Sequence, residues 1–129
     1  MVSFESKVAQ DWNNAVVSKV REGNLACARN FLKQMERKNV KAEAKTFGVL
    51  IAAHAKAKQF QIAISFFDAM KFQKMSPNVM TFNVVISSCT RAGNSKRALE
   101  LFEEMQRSRV EPTVVTFNAA ISACEKSAK

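Results

Sequence analysis

Several kinds of residue return every 35 positions along this chain. Thr46-Phe47, Thr81-Phe82 and Thr116-Phe117 form one such series, and Asp11-Trp12 falls in the same register, a capping residue followed by an aromatic one. Met35, Met70 and Met105 form a second column, Ala28, Ala63 and Ala98 a third, and Pro77 and Pro112 a fourth. Columns of so many types in phase mark a repeat architecture, in which each unit is a supersecondary element that must stack on its neighbours to bury its apolar face. The registers are 9–43, 44–78, 79–113 and a partial unit, 114–129.

The spacing inside a unit is helical. In the third unit Phe82, Val85, Ile86 and Cys89 recur at i, i+3, i+4 and i+7, one apolar helical face, with Thr81 expected as N-cap. Gly93-Asn94 then supplies a turn that stops the helix, with Asn94 or Ser95 capping the next one. Ala98, Leu101, Phe102 and Met105 give the second helix its buried stripe, and Pro112 helps to end the unit. The second unit repeats the stripe with Ala63, Phe66, Phe67 and Met70, the first with Ala28, Phe31, Leu32 and Met35. With only 3 Gly and 2 Pro in the chain, little sequence is left for long loops. The expected fold is all-α: seven helices in a right-handed α-solenoid (superhelix) of stacked helix-turn-helix repeats, the first helix of each unit lining the concave side. Phe82, Ile86, Phe102 and Met105 are expected to be buried, and Arg91 exposed.

The free face of the third unit's first helix reads Asn83, Ser87, Thr90 and Arg91. Its cation recurs in every unit, as Arg21, Lys56, Arg91 and Lys126. Stacking would set these four in a line about 10 Å apart, one helix spacing. A line of evenly spaced positive charge on a chain of net charge +9 suits a phosphate backbone.

Other chemistry is absent or better read as structure. Cys27, Cys89 and Cys124 are too few and scattered for a disulfide framework and fit a reducing compartment. No apolar run approaches a membrane span, and the first residues, with Glu5 and Asp11 and no arginine, do not resemble a signal or transit peptide. His54, Cys89 and Cys124 share a column that invites a zinc reading, but copies one helix spacing apart cannot converge on one ion. Buried structural roles are expected for Cys89 and Cys124, and a core-edge role for His54. Glu103-Glu104 reads as a charged outer face rather than an acid–base pair, and no phosphate-cradling loop or nucleophile–His constellation occurs. No catalysis, metal, cofactor or small-molecule substrate is expected.

The stretch VMTFNVVISSCTRAGNSKRALELFEEMQRSRVEPT resembles a pentatricopeptide repeat, from its T-F-N start through A-G at the turn to A-L-E-L-F-E-E-M and the late proline. The likeness covers essentially residues 9–129. The first unit departs from it with Ala42 in place of proline; the second departs with Lys58-Gln59 in place of the Gly-Asn turn and Gly48 in place of Asn. The resemblance implies a single-stranded RNA binder that reads about one nucleotide per unit through the fifth and last residues of each unit. Carried onto this chain, those pairs are Asn13 with Glu43, Gly48 with Asn78, and Asn83 with Thr113, with Asn118 unpartnered. The base-flanking residues by analogy are Gln10, Lys45, Met80 and Val115. Asn83 and Asn118 imply U or C, while the pairs at Glu43 and Gly48 are assigned no base. Three full units would hold about three or four nucleotides and bind at micromolar affinity or weaker. The family also implies a role in organellar RNA processing, stability or translation, in a mitochondrion or chloroplast. Two alternatives stand beside it. One is a scaffold that holds a protein or peptide in its groove, as tetratricopeptide solenoids do. The other is the RNA-gripping arm of a longer processing enzyme such as protein-only ribonuclease P.

Overall fold

The computed structural model describes residues 4–127. Seven helices follow one another with no strand among the described residues: α1 (Phe4–Arg21), α2 (Leu25–Arg37), α3 (Ala44–Lys56), α4 (Phe60–Phe72), α5 (Val79–Arg91), α6 (Ser95–Arg107) and α7 (Val114–Ser127). None is long and apolar enough to cross a membrane.

One turn geometry serves all six connections. Where α5 ends, the Gly93 N–H donates to the Thr90 carbonyl and the Asn94 N–H to the Cys89 carbonyl at 2.8 Å, with Gly93 in the left-handed region at φ 86. The same pair of bonds closes α3 on Lys58, at φ 63, so the second unit forms the turn without the glycine that Gly23 and Gly93 supply. Asn39, Lys74 and Arg109 adopt the matching left-handed conformation at the ends of α2, α4 and α6. Asn24 and Asn94 then cap α2 and α6, their side chains accepting from the Cys27 and Arg97 amides.

Two helix starts differ from the sequence reading. Asp11 lies inside α1, which already runs from Phe4, so it caps nothing. The N-cap of α5 is Asn78 and not Thr81; Asn78 Oδ1 accepts from the Thr81 N–H and from its hydroxyl, both at 2.9 Å. Asparagine outranks threonine as a cap, and its placement here leaves the Thr81 hydroxyl a donor within the first turn.

The core runs the length of the stack. Val16, Leu50, Ile51, Val85 and Ile86 of the first helices interleave with Ala28, Met35, Ala63, Phe67, Ala98, Leu101 and Met105 of the second helices. Edge-on aromatic pairs tie one unit to the next: Phe67 to Phe82 at 5.7 Å between centroids, and Phe102 to Phe117 at 5.6 Å. Neighbouring first helices touch along the stack (α1 with α3, α3 with α5, α5 with α7), whereas neighbouring second helices stand farther apart. The stack therefore closes more tightly on the first-helix side, which forms the inner wall. Long charged side chains cross the wider outer gap: Lys71 of α4 donates to Glu104, and Arg97 of α6 donates to Asp68. Glu103 and Glu104 thus belong to a charged outer surface, Glu103 facing Arg107.

Burial fades at the C-terminal end. Phe47 and Phe82 are buried, but Phe117 is 49% exposed, because no second helix follows α7 among the described residues to cover it. The same gap leaves Cys124 exposed and Phe102 only half-buried, where the repeat pattern predicts burial for both.

The first two units fit less closely than the others. A cavity of about 400 Å3, lined by Leu32, Met35, Ala42, Phe47 and Met75, opens between them. The matching space between the second and third units, beside Pro77 and Phe82, is about 290 Å3. Leu32 and Ala42 are the smaller residues of their columns, where Phe67 and Pro77 stand one unit on. Because Pro77 and Pro112 already occupy this turn position, Ala42→Pro is expected to fit without strain and to add about 0.4–1 kcal/mol by restricting the unfolded chain. A thermal melt should register this as a rise of about 2–5 °C; a fall would show that the first turn is not built like the others.

Candidate nucleic-acid interface

The first helices carry the polar groove, and the structure treats the three pairs expected to read bases in three ways. Asn83 and Thr113, thirty residues apart, meet directly: Asn83 Nδ2 donates to Thr113 Oγ1 at 3.4 Å, and the Thr116 hydroxyl donates to Asn83 Oδ1. The Thr113 N–H in turn donates to Thr116 Oγ1 at 2.9 Å. The hydroxyl of the next unit thus holds the amide by its oxygen, and one of its two N–H groups is left beyond the Thr113 contact.

Gly48 and Asn78 share a cleft of about 410 Å3 with both of their flanking residues, Lys45 and Met80. Without a side chain at Gly48, Thr81 has no partner on α3 and turns to Asn78 Oδ1, so Asn78 also presents its N–H groups. A Cβ added at Gly48 would sit 3.9 Å from Thr81 Oγ1, ordinary contact, so the space is open rather than obligatory for glycine.

Asn13 is different. It is only 3% exposed, and its amide is used up inside the protein. Its Nδ2 donates to the carbonyls of Ala9 and Lys41, and its Oδ1 accepts from the Glu43 N–H and the Thr46 hydroxyl at 2.8 and 2.6 Å. In this structure Asn13 has no free edge for a base, and the exposed Glu43 beside it offers only negative charge. Asn118 on α7 is exposed, and of the flanking residues Gln10, Lys45, Met80 and Val115 all face solvent, Met80 at 69%.

The cations line up by helix position. Arg21, Lys56, Arg91 and Lys126 each lie in the last turn of a first helix, and all four are exposed. Lys56 and Arg91 line one cleft of about 330 Å3 together with Asn83, Ser87, Val115 and Phe60. Thr90, expected on this face, is buried instead, its hydroxyl donating to the Ile86 carbonyl at 3.0 Å. It shares a column with Val20 and Ala55, both packed against the core, and that column carried the signal for burial.

Two features of this face escaped the sequence reading. The threonines at 46, 81 and 116, expected as caps, instead donate their hydroxyls to the amide oxygens of Asn13, Asn78 and Asn83. The Phe60 ring lies beneath Arg91. A 35-residue column marked the threonines without revealing their partners, which sit across a unit boundary.

Of the His54, Cys89 and Cys124 column, the first two lie in the core and Cys124 is exposed. His54 is fully buried; its Nδ1 faces the Leu50 carbonyl at 2.7 Å, and Arg29 donates to its Nε2 at 2.9 Å. Burial holds its pKa below the usual imidazole range, and the Leu50 contact only partly opposes this, so a neutral ring serves as acceptor. Burial pushes the Cys89 thiol up to about 11, which keeps it protonated and poorly nucleophilic. Among the described residues, no three His, Cys, Asp or Glu side chains gather to hold a metal ion.

A tandem array of helix pairs with a polar, cation-edged inner wall defines an α-solenoid repeat protein. The pentatricopeptide repeat domain matches residues 30–91, and the PPR repeat family matches residues 77–126. Together the two matches span about three quarters of the chain, and the protein belongs to the pentatricopeptide repeat family. Its fold is similar to that of the pentatricopeptide repeat protein PPR10 from maize, with a TM-score of 0.76 and 28% identity over 87% of this chain. It is also similar, at a TM-score of 0.67 and 22% identity over 87% of this chain, to PPR10 in complex with an 18-nt psaJ RNA element. At that lower identity the likeness speaks for the fold alone. The chain spans about 16% of the length of these relatives. No curated protein matches it.

Proposed function

We propose that this chain binds single-stranded RNA along its first-helix side, with bases meeting the groove amides and phosphates meeting the cation row. The observation that carries this reading is the shared cleft of Lys56, Arg91, Asn83 and Ser87, in which two cations lie beside an amide, the pairing that suits a phosphate next to a base. Family membership supports it.

In this reading each step of the stack takes about one nucleotide, and the chain grips RNA without cutting it. Asn83 with Thr113, Gly48 with Asn78, and Asn118 are the reading positions, while Asn13 serves as an internal clasp. Asn83 gives one N–H to Thr113 and accepts from Thr116 at its oxygen, and its second N–H is the donor we assign to the acceptor edge of a pyrimidine. Asn83→Asp replaces that donor with an acceptor and a negative charge. Fluorescence anisotropy with oligouridine and oligoadenosine is expected to show about a fivefold or greater loss for oligouridine and a narrowed preference between the two. An acidic peptide belongs in the same assay: tighter binding to it than to any RNA would favour the protein-scaffold reading. Organellar RNA processing, stability or translation is the wider role we assign by family, and imaging of the tagged protein against mitochondrial and plastid markers tests the compartment.

A further inference from the structure

One cation of the row is held by its neighbour. The Arg91 guanidinium carbon lies 5.7 Å from the centroid of the Phe60 ring, within cation–π range. Phe60 is the first residue of α4, so the contact reaches from the turn of the second unit to the last turn of α5 in the third. The equivalent positions in the first and third units are Leu25 and Ser95, neither of which offers an aromatic face.

An exposed arginine surrenders much rotamer freedom when it binds a phosphate, and a ring that already confines the side chain lowers that cost. A guanidinium over an aromatic face can keep its N–H fork free for two phosphate oxygens. No acidic side chain forms an ion pair with Arg91 among the described residues, so the fork is uncommitted. Phe60 and Arg91 line the same cleft as Lys56, Asn83 and Ser87.

We infer that Phe60 is an RNA-positioning residue, whose ring holds Arg91 ready for a phosphate and makes the step between the second and third units the strongest phosphate subsite of the row. This rests on the RNA reading above.

A double-mutant cycle on the full chain tests it, with oligouridine as probe and circular dichroism confirming the helices. Phe60→Leu, which keeps apolar bulk and removes the π face, is expected to weaken binding about two- to fivefold. Phe60→Trp restores it. In an Arg91→Gln background Phe60→Leu has no further effect, since the residue it positions is gone. An equal loss in both backgrounds, or no rescue by tryptophan, makes Phe60 a packing residue and overturns the inference. Arg91→Gln weakening RNA binding while Phe60→Leu does not overturns the inference and leaves the RNA reading standing. Arg91→Gln without effect removes both.

Discussion

Phe82→Ala is expected to cost about 3–5 kcal/mol, the range for truncating a buried aromatic side chain. Phe82 is 1% exposed and packs edge-on against Phe67 of the preceding unit, so its loss opens a void at the seam between two repeats. A solenoid is held by such nearest-neighbour seams, and few other contacts share the load. Against a total stability of about 5–15 kcal/mol, the melting temperature should fall by roughly 10 °C or more. Phe72→Ala is the control. Phe72 is 88% exposed at the end of α4, and its truncation should stay within about 0.5 kcal/mol. Similar melting temperatures for the two variants would contradict the stack described here.

The contrast between these phenylalanines was legible in the sequence. Phe82 stands in a column with Phe47 and Phe117, while Phe72 shares its column with Arg37 and Arg107. The same in-phase columns expose the helix pairs, the core alanines and methionines, and the row of cations, because a repeat shows each role several times over. What the columns cannot show is whether a neighbouring helix covers a given residue. Phe117 and Cys124 match Phe82 and Cys89 in sequence, yet they lie open, since burial depends on a helix supplied by a neighbour.

Hydrogen-bond partners across a unit boundary were equally hidden. Asn13 and Asn83 hold the same place in their units, and a threonine hydroxyl grips the oxygen of each. Asn13 alone also binds the carbonyls of Ala9 and Lys41 and closes itself to the groove. At the middle position Gly48 removes the amide from α3, and the same threonine chemistry moves to Asn78. Three copies of one motif therefore give one closed and two open sites, a difference decided by two backbone carbonyls at Asn13 and by the missing side chain at Gly48. Phe60 escaped notice for a related reason: it is unique in its column, and uniqueness is where repeat reasoning has nothing to compare.

The central claim is that Lys56 and Arg91 hold phosphates of a single strand. Both are exposed on the last turns of α3 and α5 and line one cleft, and neither contributes to the buried core. The Lys56→Gln/Arg91→Gln double variant should therefore keep its helicity and melting temperature while losing affinity for every single-stranded RNA by about the same factor, tenfold or so at low salt. The most direct measurement is the slope of log affinity against log salt concentration for oligouridine, compared between the native chain and this variant. Each single-strand phosphate contact contributes about 0.7 to that slope, so the variant should be shallower by about 1.4. A folded double variant with unchanged affinity and unchanged slope would contradict the account.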